Sequence, residues 1–367
     1  MTSHPPKEKR KVQISGKSSC MISLPKRWVN EMGLVQGSPL SISRHNSTSL
    51  LISVDKNFGN SVAKGEDNVG VLSLTNPESP ETTVRKISCL YVQGYNVIKV
   101  RLAENSIGSI HKSAIRELLR RQLIGVEIVS DSLDGLLLQI LLGKSELTIE
   151  NAMKRMSIVS SAMLEDAVGA LRLFDKKRAR EVIEKDEIER FGSYTARHIL
   201  GSINHDVFKE GDDAEPEKLA INLMISRAIE NAAKCARDIA EQAIRMGSPL
   251  DDAKVESLNH LGECASEIFD SAILSFFKRD SRAAERTIER SKEYSVLERS
   301  ITDLYRSAHS TPGTEQIMAL ISSMGSLRNV VHHSMEISSL VLGLTTEQYV
   351  RNEEGLATLP ASGLLLN

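Results

Sequence analysis

Six cations crowd the start of this chain: Lys9, Arg10, Lys11, Lys17, Lys26 and Arg27. Lysine and arginine neutralise phosphates and release condensed counterions, so such a cluster is suited to polyanions. Residues 1–55 hold eight Lys or Arg against three acids, a formal +5, which leaves −7 for the remainder of a chain whose total is −2. A basic head on an acidic body directs any DNA partner to the head. A second group is acidic: Glu184, Glu230, Glu263, Glu267 and Asp270. The last three stand at i, i+4 and i+7, one helical stripe with the oxygen chemistry of a hard cation site; salt-bridged, solvated acids are the plainer reading.

Other chemistries find little support. The chain carries no GxxxxGK[ST], GxSxG, HExxH or GxGxxG, so phosphate-cradling loops and the common hydrolase signatures are missing and no catalytic residue is assigned. His332 and His333 diverge by about 100° on a helix and are poorly placed to share a metal. Cys20, Cys89, Cys235 and Cys264 form no CxxC pair and are expected as buried, reduced thiols. No apolar run of about 18 residues is present, and "MTSHPPKEKRK" lacks a signal-peptide core; the expectation is a cytoplasmic protein that is not integral to the membrane.

Periodicity indicates what positions these residues. At 367 residues two or three domains are expected. From Lys11 to Val54 apolar residues alternate in short runs, the pattern of half-buried strands. "PKRWVNEM" between them reads as a short helix opened by Pro25 and closed by Gly33, with Trp28 as a core anchor. This module, residues 8–55, is too small to close a core and is expected to dimerise.

Residues 56–83 read as a linker in which only "VGVLSL" has strand character. Residues 84–146 read as a small α/β domain, with "RKISCLYV" and "NVIKVRL" as strands, a helix, then two more strands.

From Leu147 onward the period is helical. Ile149, Met153, Met156, Val159, Met163, Ala167 and Leu171 trace one amphipathic face. Breaks near "LFDKKRA", "KEGDDAEPEK", "RMGSPLDD", "FKRDSRA" and "AHSTPGT" predict six long helices, arranged as two repeats of three, 147–247 and 248–345, before a tail at 346–367. An offset of 105 superposes Asp175 on Asp280 and Ala179 on Ala284; the third helices align Ile229 with Leu327, and so Glu230 with Arg328. The fold class is therefore multidomain, ending in tandem all-α three-helix bundles.

Two resemblances attach to these residues. "RKVQISGKSSCMISLPKRWVNEMGLVQGSPLSISRHNSTSLLIS" resembles the SpoVT/AbrB-type swapped-hairpin DNA-binding domain, through Gly16, Leu24-Pro25-Lys26 and Gly33-Leu34-Val35-Gln36-Gly37; Ser38-Pro39 departs from the usual Gly-Asp. That resemblance implies a swapped-hairpin β-barrel, dimeric and DNA-binding. The whole order resembles the archaeal PhoU-type phosphate-uptake regulators, on "VRKISCLYVQGYNVIKV", "RRQLIGVEIVSDS" and "AMKRMSIVSSAMLEDAV". It implies a DNA-binding regulator of phosphate uptake or phosphate-responsive transcription. The alternative is an interaction protein whose bundles dock onto a phosphate transporter or a signalling complex such as a histidine kinase. PhoU repeats typically carry Glu-Arg-x-x-Asp-His on the third helix to ligate metal; here only Glu230 remains an acid, so a metal-ion cofactor is expected to be weakened or lost.

Overall fold

The computed structural model describes residues 9–15, 19–46, 49–54, 68–74, 78–102, 108–133, 135–141, 147–204, 216–307 and 314–350. Gly16 and Lys17 of the head, residues 56–67 and 75–77 of the expected linker, and the tail beyond 350 lie outside them. Contacts divide the chain into two units, one built on its first 66 residues and one on nearly all the remainder.

The head follows the expected order of elements. Strands β1 (Gln13–Ser15) and β2 (Ser19–Met21) pair antiparallel, Ile14 opposite Cys20. Helix α1 (Lys26–Glu31) begins one residue after Pro25, which stands at the N-cap instead of inside the helix. Gly33, at φ +63°, ends α1, and the Leu34 amide donates to the Val29 carbonyl at 3.0 Å, closing the helix through a left-handed residue. Strands β3 (Leu40–Asn46) and β4 (Ser49–Val54) form a second antiparallel pair with an irregularity between Arg44 and Asn46.

These are two separate two-stranded sheets, not the closed barrel expected from the sequence. Among the head's residues whose side chains are described, none is buried: Ile14 is 81% exposed, Val35 75% and Leu50 69%. Trp28 is half-buried, so its reading as a core anchor is corrected for the single chain. The physical reason is size, since strands this short expose one apolar face whichever way they fold.

The second unit opens with a four-stranded sheet. Strands β5 (Val69–Leu74), β6 (Val97–Leu102), β7 (Val126–Asp131) and β8 (Gly135–Ile140) lie in the order β5-β6-β8-β7, with β5 and β6 parallel and the other neighbours antiparallel. Helices α2 (Pro80–Val92) and α3 (Ser109–Arg121) cover one face, burying Ile87, Tyr91 and Ile115 against Leu74, Ile98, Val100 and Leu138.

Two sequence readings are corrected here. "VGVLSL" belongs to the sheet and not to a linker, and "RKISCLYV", expected as a strand, is helical. Ser79 caps that helix by accepting from the Thr82 amide at 3.3 Å, Pro80 occupies its first turn, and Thr83, Ile87 and Tyr91 recur at four-residue steps on its buried face. Parallel β5 and β6 require such a crossover, and α2 supplies it.

The helical region has α4 (Ile149–Arg172), α5 (Lys176–Ile183), α6 (Glu187–Asn204), α7 (Pro216–Arg245), α8 (Asp252–Lys278), α9 (Ser281–Ser307) and α10 (Thr314–Leu344), followed by a 3-10 turn at Thr346–Gln348. Among the described residues there are seven α-helices here instead of six, because the middle helix of the first repeat breaks after Ile183 and resumes at Glu187. Two helix ends in this region share a backbone feature. Phe174 (φ +54°) and Arg279 (φ +51°), 105 positions apart, each leave a first helix through a left-handed residue. Each is followed by an aspartate cap: Asp175 accepts from the Lys177 and Arg178 amides, and Asp280 from the Ala283 amide, all at 3.0 Å.

The expected face of α4 is the buried one; Met153, Met156, Met163, Ala167 and Leu171 are inside and Ile149 packs on their edge. Helices α7 and α10 pack on each other, as do α4 and α8, so both repeats share one hydrophobic core. Helix α6 also carries α2 and α3, which joins the sheet layer to the bundles.

Candidate functional site

The basic residues of the head lie on its surface. Lys9, Arg10 and Lys11 precede β1, and Lys26 and Arg27 form the first turn of α1; all five are exposed. Arg27 donates from Nε to Glu31 Oε1 at 2.8 Å across one helical turn, which compensates part of its charge. Lys17 lies outside the described residues.

The acids of the helical region are dispersed. Glu184 is exposed at the C-cap of α5. Glu263, Glu267 and Asp270 do share an exposed stripe of α8, as their spacing predicts, yet each engages a different neighbour. Glu263 accepts from Asn259 Nδ2 at 2.7 Å, Glu267 pairs with Arg290 of α9, and Asp270 accepts from Ser161 Oγ of α4 at 2.6 Å. Among the described residues, no three His, Cys, Asp or Glu side chains converge on one point.

Glu230 is the buried member of the set. Arg227 Nη1 donates to its Oε2 at 2.6 Å and Lys234 Nζ lies 3.4 Å from Oε1, so two turns of α7 clamp one carboxylate. Gly192 of α6 approaches it so closely that a Cβ there would stand 3.2 Å from Oε2.

In the second repeat the corresponding position is Arg328. It donates from Nε to both oxygens of Glu298 on α9, at 2.9 and 3.0 Å. Among the described residues, each repeat therefore holds one buried acid, on α7 in the first and on α9 in the second, and each acid is answered by cations of the chain itself. Such donors do not fit a metal cluster, since a cation already held at each carboxylate repels another.

Glu298 escapes a sequence reading that looks for acids on the third-helix row alone. The available signal is its placement on the apolar face, four residues after Tyr294 and three before Ile301, both buried. The Tyr294 hydroxyl is buried without a hydrogen-bond partner among the described residues, and burial, then the Glu298 carboxylate, push its ionisation upward.

A groove of about 670 Å³ runs where α2, α6, α7 and α10 meet. Val92, Leu200, Met224 and Leu340 give it an apolar floor, and Arg227 and His332 stand at its rim. The volume is in the usual range of about 300–1,000 Å³ for binding clefts. The sequence contains these residues without indicating that four helices bring them together.

Comparison with known proteins finds similarity to one family over part of the chain. The model of the PhoU domain matches residues 258–341, which run from α8 to α10. The chain is similar to the crystal structure of PhoU from Pseudomonas aeruginosa, with 16% identity over 54% of this chain and 96% of that one and a TM-score of 0.48. It is also similar to the phosphate transport system regulatory protein PhoU from Streptococcus pneumoniae, with 15% identity over 56% and 96% and a TM-score of 0.44. No curated protein matches the chain. Among the described residues, no helix is long and apolar enough to cross a membrane.

Proposed function

We propose that this chain regulates phosphate transport through protein contact, its helical bundles docking onto a phosphate transporter or its signalling complex. The match of the PhoU domain to residues 258–341 carries this reading. The groove between α6, α7 and α10 supports it, because an apolar floor with a polar rim accepts an amphipathic helix.

The test is co-sedimentation of the purified chain with membranes bearing its own organism's phosphate transporter, against membranes from which the transporter is deleted. Transporter-dependent binding that Met224→Glu weakens is the expected result. Equal sedimentation with both membranes, with and without phosphate, overturns it.

A second reading makes the head a dimeric DNA-binding module of AbrB type. It is supported by the exposed cations Lys9, Arg10, Lys11 and Lys26 and by the uncovered apolar side chains Val12, Ile14, Ile42 and Leu50. A duplex-DNA mobility shift that weakens with salt, and is lost on charge reversal at Lys9, Arg10, Lys11 and Lys17 while the dimer persists, is its expected signature. A chain that leaves duplex DNA unshifted at low ionic strength removes this reading and leaves the first intact.

A further inference from the structure

The sheet of the second unit has a covered and an open side. Helices α2 and α3 pack on the side that carries Ile98, Val100, Leu136 and Leu138. Strand register sets out the other side in rows: Val71, Lys99, Leu137 and Ser130 lie abreast, and in the next row Ser73, Arg101 and Gly135. Val71 is 58% exposed, although it is an apolar residue near the middle of a strand.

We propose that this open face binds a small phosphate ester of about nucleotide size. Lys99 and Arg101 alternate along β6, an inner strand, and so project on the same side roughly 7 Å apart, a span that one phosphate dianion bridges. Neither has an ion-pair or hydrogen-bond partner among the described residues. The cations on the helical side differ: Lys112 and Arg116 both bind Asp131, at 2.5 and 2.6 Å. Two adjacent uncompensated cations on a body of formal charge −7 form a local positive field that a diffusing anion encounters.

The face also has room for the anion and a floor for the rest of the ligand. A shallow groove of about 490 Å³ is lined by Lys99, Arg101, Ser130, Ser132, Gly135 and Leu137. Gly135 is fixed by backbone packing, since a Cβ there would fall 2.4 Å from the Val100 carbonyl oxygen. The position across from Arg101 thus stays free of a side chain. Ser130, abreast of Lys99, adds a hydroxyl that can donate to a phosphate oxygen. Val71 and Leu137 flank Lys99 and provide the apolar floor, which favours an ester with a flat or apolar body over bare phosphate. The face has no aromatic side chain in these rows, which disfavours the stacking used for single-stranded nucleic acid.

Binding to the full chain at low ionic strength tests the proposal, by calorimetry with adenosine 5′-monophosphate, ribose 5-phosphate and orthophosphate as separate probes. Adenosine monophosphate is expected to saturate near one per chain, to weaken as salt rises, and to lose about tenfold in affinity in each of Lys99→Glu and Arg101→Glu. Val71→Asp is expected to weaken the nucleotide more than orthophosphate. Unchanged thermal unfolding of the variants shows that the fold is retained. The absence of saturable nucleotide binding up to about 5 mM overturns the proposal. So does equal binding by wild type and the Lys99→Glu/Arg101→Glu chain, which would place the ligand elsewhere. Orthophosphate binding as tight as that of both esters overturns the ester assignment. None of these outcomes depends on whether the bundles contact a transporter.

Discussion

The guanidinium of Arg197, on α6, donates to the backbone carbonyl of Tyr91, at the end of α2, at 2.6 Å. The same side chain reaches the carbonyl of Tyr95 at 2.8 Å and Asn96 Oδ1 at 2.7 Å, and stacks over the Tyr91 ring with 5.0 Å to its centroid. A helix C-terminus presents unpaired carbonyls and partial negative charge, so one buried cation serves there as both hydrogen-bond donor and dipole partner. The Tyr91 hydroxyl, donating to the Ile124 carbonyl at 3.0 Å, is pushed up to about 12 by burial and stays a donor.

Arg197→Met is therefore expected to cost about 2–4 kcal/mol, because several buried acceptors lose a charged donor together. Arg197→Lys should recover only part of it, as one ammonium cannot reach acceptors spread around a planar fork. Thermal unfolding checks the magnitude. Hydrogen exchange adds the location: faster exchange at the end of α2 and unchanged exchange in α8 is the expected pattern.

Gly262, on α8, lies against Val168 of α4, and a Cβ there would stand 2.7 Å from Cγ1. Gly262→Ala should destabilise by about 1–3 kcal/mol through overpacking of the helices that join the two repeats. Gly325 in α10 has nothing within 4 Å of the same position, so Gly325→Ala should stabilise by roughly 0.5–1 kcal/mol from helix propensity alone. Denaturant midpoints of the two variants moving in the same direction would contradict this packing.

Asp166 is expected to make stability depend on acid. Burial raises its ionisation, but hydrogen bonds from Lys185 (2.9 Å) and Arg178 (2.9 Å) outweigh it and hold the carboxyl below its ordinary value. A carboxyl depressed in the folded state stabilises fully above its unfolded value of about 3.9, and that contribution is lost as pH falls through the folded value. Asp166→Asn should cost about 1 kcal/mol at pH 7, with the gap from wild type closing below about pH 4. Urea unfolding at the two pH values measures it.

The four thiols should react unequally. Cys20 and Cys89 are exposed, contrary to the expectation of four buried thiols, because Cys20 sits in the open head and Cys89 on the outer face of α2. Cys235 is buried, and burial, then Asp238, push it up to about 11. Mass spectrometry after brief alkylation at pH 8 should find Cys20 and Cys89 modified first and Cys235 last. Early modification of Cys235 would mean that α7 opens locally.

The helical repeat is legible in the sequence because it rests on local rules. A 3.6-residue apolar period places Met153, Met156 and Met163 inside, and an aspartate after a helix break caps the next helix at both Asp175 and Asp280. The same rules misread "RKISCLYV", where β-branched and aromatic residues favour a strand but the cap at Ser79 and the crossover between β5 and β6 impose a helix. They also consign Val69–Leu74 to a linker, since one short strand has no pattern of its own until β6 pairs with it.

The sequence by itself determined the basic head and acidic body, the repeat and the buried faces, because charge and period are properties of neighbouring residues. Tertiary structure alone decided which partners the polar groups meet. Glu298 is answered from α10, Arg197 finds carbonyls about a hundred residues away in the chain, and Lys99 and Arg101 find no partner among the described residues. These pairings depend on how helices and strands cross, which spacing along a single element does not encode.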